Sequence, residues 1–233
     1  MFASSEFSPF PTTSAILAPI CPPGVVAFEL IGPARASDLY PQEHAETTTF
    51  GEKRRSEFSA GRLCAKLALA ELGIVNFPLQ INVDRRPRWP DDIVGSISHT
   101  HDYCAALVAR TKDADAIGFD VERTERIGEE LWDTLFTSRE RERLATLSPA
   151  RRVIEATIVF SAKEAFYKCH FARSPTWLDF TDVEIEIKPG VCETAGTFDI
   201  HGRSARIARA KYYGRFITAR NCAATSVVVL PEI

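Results

Sequence analysis

From Thr48 to Leu72 the chain has no proline and only two glycines, Gly51 and Gly61, while Phe58, Leu63, Leu67, Leu69 and Leu72 recur at roughly helical intervals before Gly73 supplies a stop. The spacing predicts a long helix. A second helical region is predicted from about Ser138 to His170, interrupted at Ser148-Pro149. Between them, short β-rich runs at Val94 to Ser98, Tyr103 to Ala109 and Ala116 to Glu122 are punctuated by turn residues and read as an antiparallel meander. Val25 to Leu30 reads as the first strand, and further strands are expected at Val183 to Ile187, Gly196 to Ile200, Arg215 to Ala219 and Ser226 to Leu230. The first 24 residues, rich in Ser, Thr and Pro, predict an extended arm over the surface, and Asn82 to Asp92 a loop of Pro and Arg.

A helix followed by strands thus occurs twice. This predicts an α+β fold of two halves, 1–123 and 124–233, each packing a long helix on an antiparallel sheet. No low-complexity linker divides them, so an extensive shared interface is expected, and a cleft between packed halves is a favoured ligand site.

Composition narrows the class. Of the 233 residues 45% are apolar, enough for a sizeable core, and a net charge of -3 gives no overall cationic field for nucleic acid or an anionic membrane. Any anionic ligand must be held locally. Six dispersed cysteines form no CxxC pair, which points to a reduced compartment. The apolar stretch from Ala15 to Phe28 is broken by Pro19, Pro22 and Pro23, and no Lys or Arg precedes Arg35. Neither a secretory signal nor a spanning helix is expected, so the reading is of a cytoplasmic protein, with a monomer as the default.

Candidate chemistry lies in three segments. In Gly118-Phe119-Asp120-Val121-Glu122 two carboxylates stand two apart on an apolar strand, so both lie on one face and can meet one Mg2+. A lone pair of this kind is equally a strand running into a polar turn. The helical segment Phe160 to Lys168 puts Phe160, Glu164 and Lys168 on one face, with Lys163 and Tyr167 beside them. Glu164 and Lys168 by themselves would also serve as an exposed ion pair. Gly95-Ser96-Ile97-Ser98-His99 sets a histidine among small hydroxyl residues at a strand end, able to meet a phosphate or to be satisfied within the protein. Arg54 and Arg62 share a helix face at i, i+8, and Arg85, Arg86 and Arg88 add charge in the loop.

Taken in order, these motifs resemble the Sfp-type 4'-phosphopantetheinyl transferases, in particular the subgroup that activates enterobactin synthetase. Arg54-Arg55-Ser56-Glu57-Phe58-Ser59-Ala60-Gly61-Arg62-Leu63-Cys64-Ala65 looks like that subgroup's RRxEFxxGRxCA helix. Pro87-Arg88-Trp89-Pro90, Gly95 to His99, the GxDxE of Gly118 to Glu122, the FSAKExxYK of Phe160 to Lys168 and Trp177-Leu178-Asp179-Phe180 follow in family order.

The resemblance implies a pseudo-twofold pair of α+β halves with the active site in the cleft between them, and transfer of 4'-phosphopantetheine from coenzyme A to a serine of an acyl or peptidyl carrier protein, releasing 3',5'-ADP. Carriers of fatty acid, polyketide or siderophore biosynthesis all fit. It matches Asp120, Glu122 and Glu164 to an acidic Mg2+ site. It matches Arg54, Arg62 and His99 to the nucleotide phosphates, and Lys163, Tyr167 and Lys168 to the pyrophosphate or pantetheine. Arg86 and Ser98 are further expected contacts, and Glu164, Lys168 and Asp120 are the expected catalytic groups. The competing reading is a zinc hydrolase built on His99 and His101, because His99-Thr100-His101-Asp102 partly imitates an HxHxDH ligand loop.

Overall fold

The computed structural model describes residues 12–13, 16–125, 127–191, 193–202, 207 and 210–232. Nine strands are named in chain order: β1 Thr12–Thr13, β2 Val26–Ile31, β3 Ile93–Thr100, β4 Tyr103–Arg110, β5 Ala116–Arg123, β6 Val183–Pro189, β7 Ala195–Gly202, β8 Tyr212–Ala219 and β9 Cys222–Val229. The α-helices are α1 Pro41–Glu46, α2 Glu52–Glu71, α3 Trp132–Leu135, α4 Ser138–Ala145 and α5 Pro149–Arg173. The expected architecture of antiparallel sheets carrying helices is present. One sheet has the order β1-β2-β4-β3 and the other β5-β9-β8-β7-β6, with α2 packed on the first and α5 on the second.

Local chemistry sets the helix ends. Pro149 opens α5 where its missing N–H costs nothing, and Pro175 follows the helix after the cap at Ser174. α4 starts at Thr137, whose hydroxyl accepts from the Glu140 amide while the Glu140 carboxylate accepts from the Thr137 amide. The short α1 escaped the periodicity reading because six residues show too little of it; Pro41 and the bond from the Tyr40 amide to Glu43 Oε2 start it.

Two expectations are corrected. The strand Ala116–Arg123 does not continue a meander: β3 and β4 form a hairpin, and β5 pairs with β9 from Ala116↔Val229 to Arg123↔Cys222. By sheet membership residues 116–123 therefore go with the later strands. The edges of the two sheets, β3 and β5, lie side by side. Ser96 Oγ accepts from the Phe119 amide at 3.0 Å, so a side chain joins the sheets where no ladder does. The second correction concerns the N-terminal segment. Leu17 and Ile20 are fully buried among Leu107, Phe119, Val121 and Val228 between the sheets, and Ser226 donates to the Ile20 carbonyl at 2.5 Å. Two large apolar side chains leave water for this shared core, which outweighs the polar composition around them; residues 1–11, 14 and 15 lie outside the described part.

Glycine sets the spacing at the junction. A Cβ on Gly118 would lie 1.8 Å from the Ala165 carbonyl oxygen, so only glycine lets β5 approach α5 this closely. Among the described residues no helix is long and apolar enough to cross a membrane.

Candidate active site where α5 crosses β5

Alternation along β5 sends Ile117, Phe119 and Val121 into the core between the sheets and turns Gly118, Asp120 and Glu122 toward α5. Asp120 and Glu122 are both buried. Lys168 reaches down from α5 and donates to Asp120 Oδ1 at 2.8 Å, to the Phe119 carbonyl at 3.0 Å and to Ser98 Oγ at 3.2 Å. The Ser98 hydroxyl donates to the same Asp120 oxygen at 2.9 Å. Asp120, Ser98 and Lys168 thus form one knot spanning both sheets and the helix.

The other oxygen of Asp120, Oδ2, is buried and has no hydrogen-bond partner. An unpaired carboxylate oxygen away from water is costly, and a cation bound there would relieve it. Glu122 lies two positions along the same face and Glu164 one helical turn before Lys168. These oxygens suit a hard divalent ion such as Mg2+. They are not drawn together as they stand: among the described residues the group of three such ligands within 4.8 Å is Glu186, Asp199 and His201, on the exposed faces of β6 and β7. Asp120 is instead paired with Lys168. His99 and His101 belong to no such group, so the ligand set expected of a zinc hydrolase is not assembled.

Beside the knot opens a cleft of about 560 Å³, with Lys168, Tyr167 and Phe171 of α5 on one wall and Gly95, Ser96 and Ile97 of β3 on the other. Arg85, Arg86, Arg88 and Trp89 cover it from the loop. Arg86 pairs with Asp84 at 2.7 Å, stacks 5.1 Å from the Phe171 ring centroid and donates to the Phe171 carbonyl at 3.3 Å. Trp89 lies on Gly95, where a Cβ would come within 2.7 Å of the indole. Tyr167 also lines a second, more apolar pocket of about 150 Å³ with Glu164, Trp177, Leu178 and Phe180. The sequence reading assigned Trp177, Leu178 and Phe180 no role, although the run Trp177-Leu178-Asp179-Phe180 stood among the family motifs; in the structure Trp177 is 76% exposed.

The remaining expected contacts fall in different places. His99 faces α2, its Nδ1 4.0 Å from Glu57 Oε1, on a separate hollow with Ser56, His101 and Asp102. Burial holds its pKa below the usual histidine value, opposed by Glu57 and assisted by Lys168 and Arg54. Arg54 is exposed, with its guanidinium 4.9 Å from the Phe50 ring centroid. Arg62 is turned inward at 6% exposure, 4.2 Å over the Phe58 ring, and burial lowers its pKa to about 10 against the pull of Glu43 and Glu46.

Lys163 turns inward. Its ammonium is buried and donates to Glu140 Oε2 at 2.7 Å and to the carbonyls of Leu135 and Phe180 at 2.9 and 2.8 Å. Its neighbour Glu164 looks out, but one position along a helix turns the side chain by about 100°. Lys163 thereby acts as a strut between α5, α4 and the segment before β6.

Residues 42–109 match the family model described as the 4'-phosphopantetheinyl transferase N-terminal domain, and residues 116–218 that of the 4'-phosphopantetheinyl transferase superfamily. The chain is 36% identical over 184 residues to the 4'-phosphopantetheinyl transferase Npt of Nocardia iowensis, covering 77% of this chain and 81% of the relative. It is 35% identical over 161 residues to Svp of Streptomyces mobaraensis, covering 69% of this chain and 64% of the relative. With enterobactin synthase component D of Escherichia coli K12 the identity is 37% over 132 residues, covering 56% of this chain and 61% of the relative.

Proposed function

Because the chain belongs to the 4'-phosphopantetheinyl transferase superfamily, we propose that it moves the 4'-phosphopantetheine arm of coenzyme A onto a serine of an apo acyl or peptidyl carrier protein and releases 3',5'-ADP. The observation that carries this reading is the knot of Lys168, Asp120 and Ser98 at the edge of an arginine-lined cleft, with Asp120 Oδ2 left open to a cation.

The residues suit the charges of that substrate. Coenzyme A brings about four negative charges into a partly dry cleft, where unpaired charge is prohibitively costly. Arg85, Arg86 and Arg88 offer cations at the mouth and Lys168 at the floor. Asp120, Glu122 and Glu164 would hold Mg2+, which when bound supplies positive charge against the pyrophosphate as the P–O bond breaks. Lys168, released in part from Asp120, can donate to the departing 3',5'-ADP. The carrier serine is a weak acid and needs a base; Glu164, half-exposed beside Lys168, is the group we assign to accept its proton. Tyr167, between the cleft and the apolar pocket, is placed to guide the pantetheine arm. Arg54 and His99, on the α2 side, suit the 3'-phosphate, whereas Arg62 acts from behind them through its inward contacts.

Incubation with an apo carrier, coenzyme A and Mg2+, followed by intact mass of the carrier, tests the proposal. A gain of one phosphopantetheine is expected; an unchanged carrier in the presence of bound coenzyme A would leave a binding protein without turnover.

A further inference from the structure

The arginine loop is a small hairpin closed by the Ile81↔Pro87 bridge, with the Asn82 amide donating to the Arg86 carbonyl at 2.8 Å and the Arg88 amide to the Gln80 carbonyl at 2.8 Å. No burial anchors its tip, where Val83 is fully exposed. Its base is held from α1. Glu43 Oε1 accepts from the Leu79 amide at 2.7 Å, and Glu46 Oε1 accepts from the Ile81 amide at 2.8 Å. Bonds from an amide to a carboxylate are among the stronger hydrogen bonds. Arg62 of α2 faces both glutamates and supplies their countercharge.

Resting on the transferase reading, we infer that Glu46 is a positioning residue for coenzyme A: by fixing Ile81 it sets where the hairpin presents Arg85, Arg86 and Arg88 over the cleft. Binding geometry must be held to about 0.5 Å, and residues behind the contact usually provide that. Glu46 suits the task better than Glu43, which is wholly buried and also caps α1 through the Tyr40 amide. Glu46 is half-buried and spends one oxygen on the hairpin, while its Oε2 has no hydrogen-bond partner.

Calorimetric titration of the full chain with coenzyme A, alongside amide hydrogen exchange at Ile81, tests this. Glu46→Ala should weaken coenzyme A roughly tenfold, the scale of one hydrogen bond to a charged group, and release the Ile81 amide to fast exchange. Its KM for coenzyme A should rise by more than its kcat falls. Glu46→Gln, which keeps an acceptor oxygen, should restore affinity and protection. Wild-type affinity in E46A with Ile81 exchanging freely would overturn the inference. If E46A does not fold, Glu46→Asp, shorter by one methylene, is read against the same two outcomes. A wild-type protein that binds coenzyme A but leaves the carrier unmodified sinks the transferase reading alone, since the binding comparison still decides Glu46.

Discussion

The Lys168 ammonium lies 2.8 Å from Asp120 Oδ1, joining the C-terminal part of α5 to the buried face of β5. Because Lys168 also donates to the Phe119 carbonyl, the lysine stays anchored when the carboxylate is engaged elsewhere. In the proposed reading a cation on Asp120 Oδ2 would share this carboxylate with Lys168.

Asp120→Ala, Glu122→Ala and Glu164→Ala should each lower transfer by at least about two orders of magnitude, given about 3 to 4 kcal/mol for a group that stabilises charge mainly in the transition state. The fold should persist, since Lys168 keeps Phe119 and Ser98 as partners. Single-turnover transfer measured with circular dichroism checks both halves, and near-normal rates in all three variants would move the metal site elsewhere.

Gly118→Ala tests the close approach of α5. The added Cβ meets the Ala165 carbonyl oxygen at 1.8 Å and the Cys169 amide at 2.7 Å, backbone atoms that cannot swing aside. The helix must lift, at a cost of about 1 to 3 kcal/mol as in other overpacked cores, and Lys168 lifts with it. Urea denaturation should show the loss and transfer should fall in parallel; wild-type values for both would mean that the junction is loose.

Lys163→Met should act on stability and leave the coenzyme A KM unchanged. Removing one partner of a buried ion pair costs about 3 to 5 kcal/mol, and Glu140 would lose its countercharge while still accepting from the Thr137 and Ile185 amides. A variant of normal stability with a raised KM would return Lys163 to the ligand.

The contrast between Lys163 and Lys168 shows what the sequence makes legible. The roughly helical spacing of apolar residues placed α2, and strand and helix periods put Asp120 with Glu122 on one face of β5 and Glu164 with Lys168 on one face of α5, but that these faces adjoin came from the family resemblance. Which lysine turned inward depended on Glu140, 23 residues away in a short helix whose buried carboxylate resembles any surface acid in the sequence. The course of β5 was hidden for a similar reason: its apolar run pairs equally well with β3 or with β9, and only the distant strand decides. Leu17 and Ile20 were masked by the prolines and polar residues around them.

The last prediction joins His99 to pH. Burial lowers its pKa in the folded protein, with Arg54 and Lys168 acting in the same sense and Glu57 and Asp120 opposing. Folding therefore favours the neutral ring: this stabilising contribution is fully present above the unfolded value of 6.5 and is lost as pH falls through the lower folded value. A 3'-phosphate beside His99 favours the imidazolium and reverses that preference, so binding takes up a proton. Affinity for coenzyme A should accordingly rise as pH falls from 8 toward 6, by at most about tenfold per pH unit for one linked proton, whereas 3'-dephospho-coenzyme A should show a flatter profile. His99→Ala should remove the difference and weaken coenzyme A by about 1 to 3 kcal/mol, the scale of a hydrogen bond to a charged group. Two proteins and two ligands form a double-mutant cycle whose coupling energy isolates this one contact from general damage to the fold. Calorimetry at three pH values reads all four combinations. Equal losses with both ligands would show that His99 does not meet the 3'-phosphate, and equal losses of transfer rate with both would make it the base in place of Glu164.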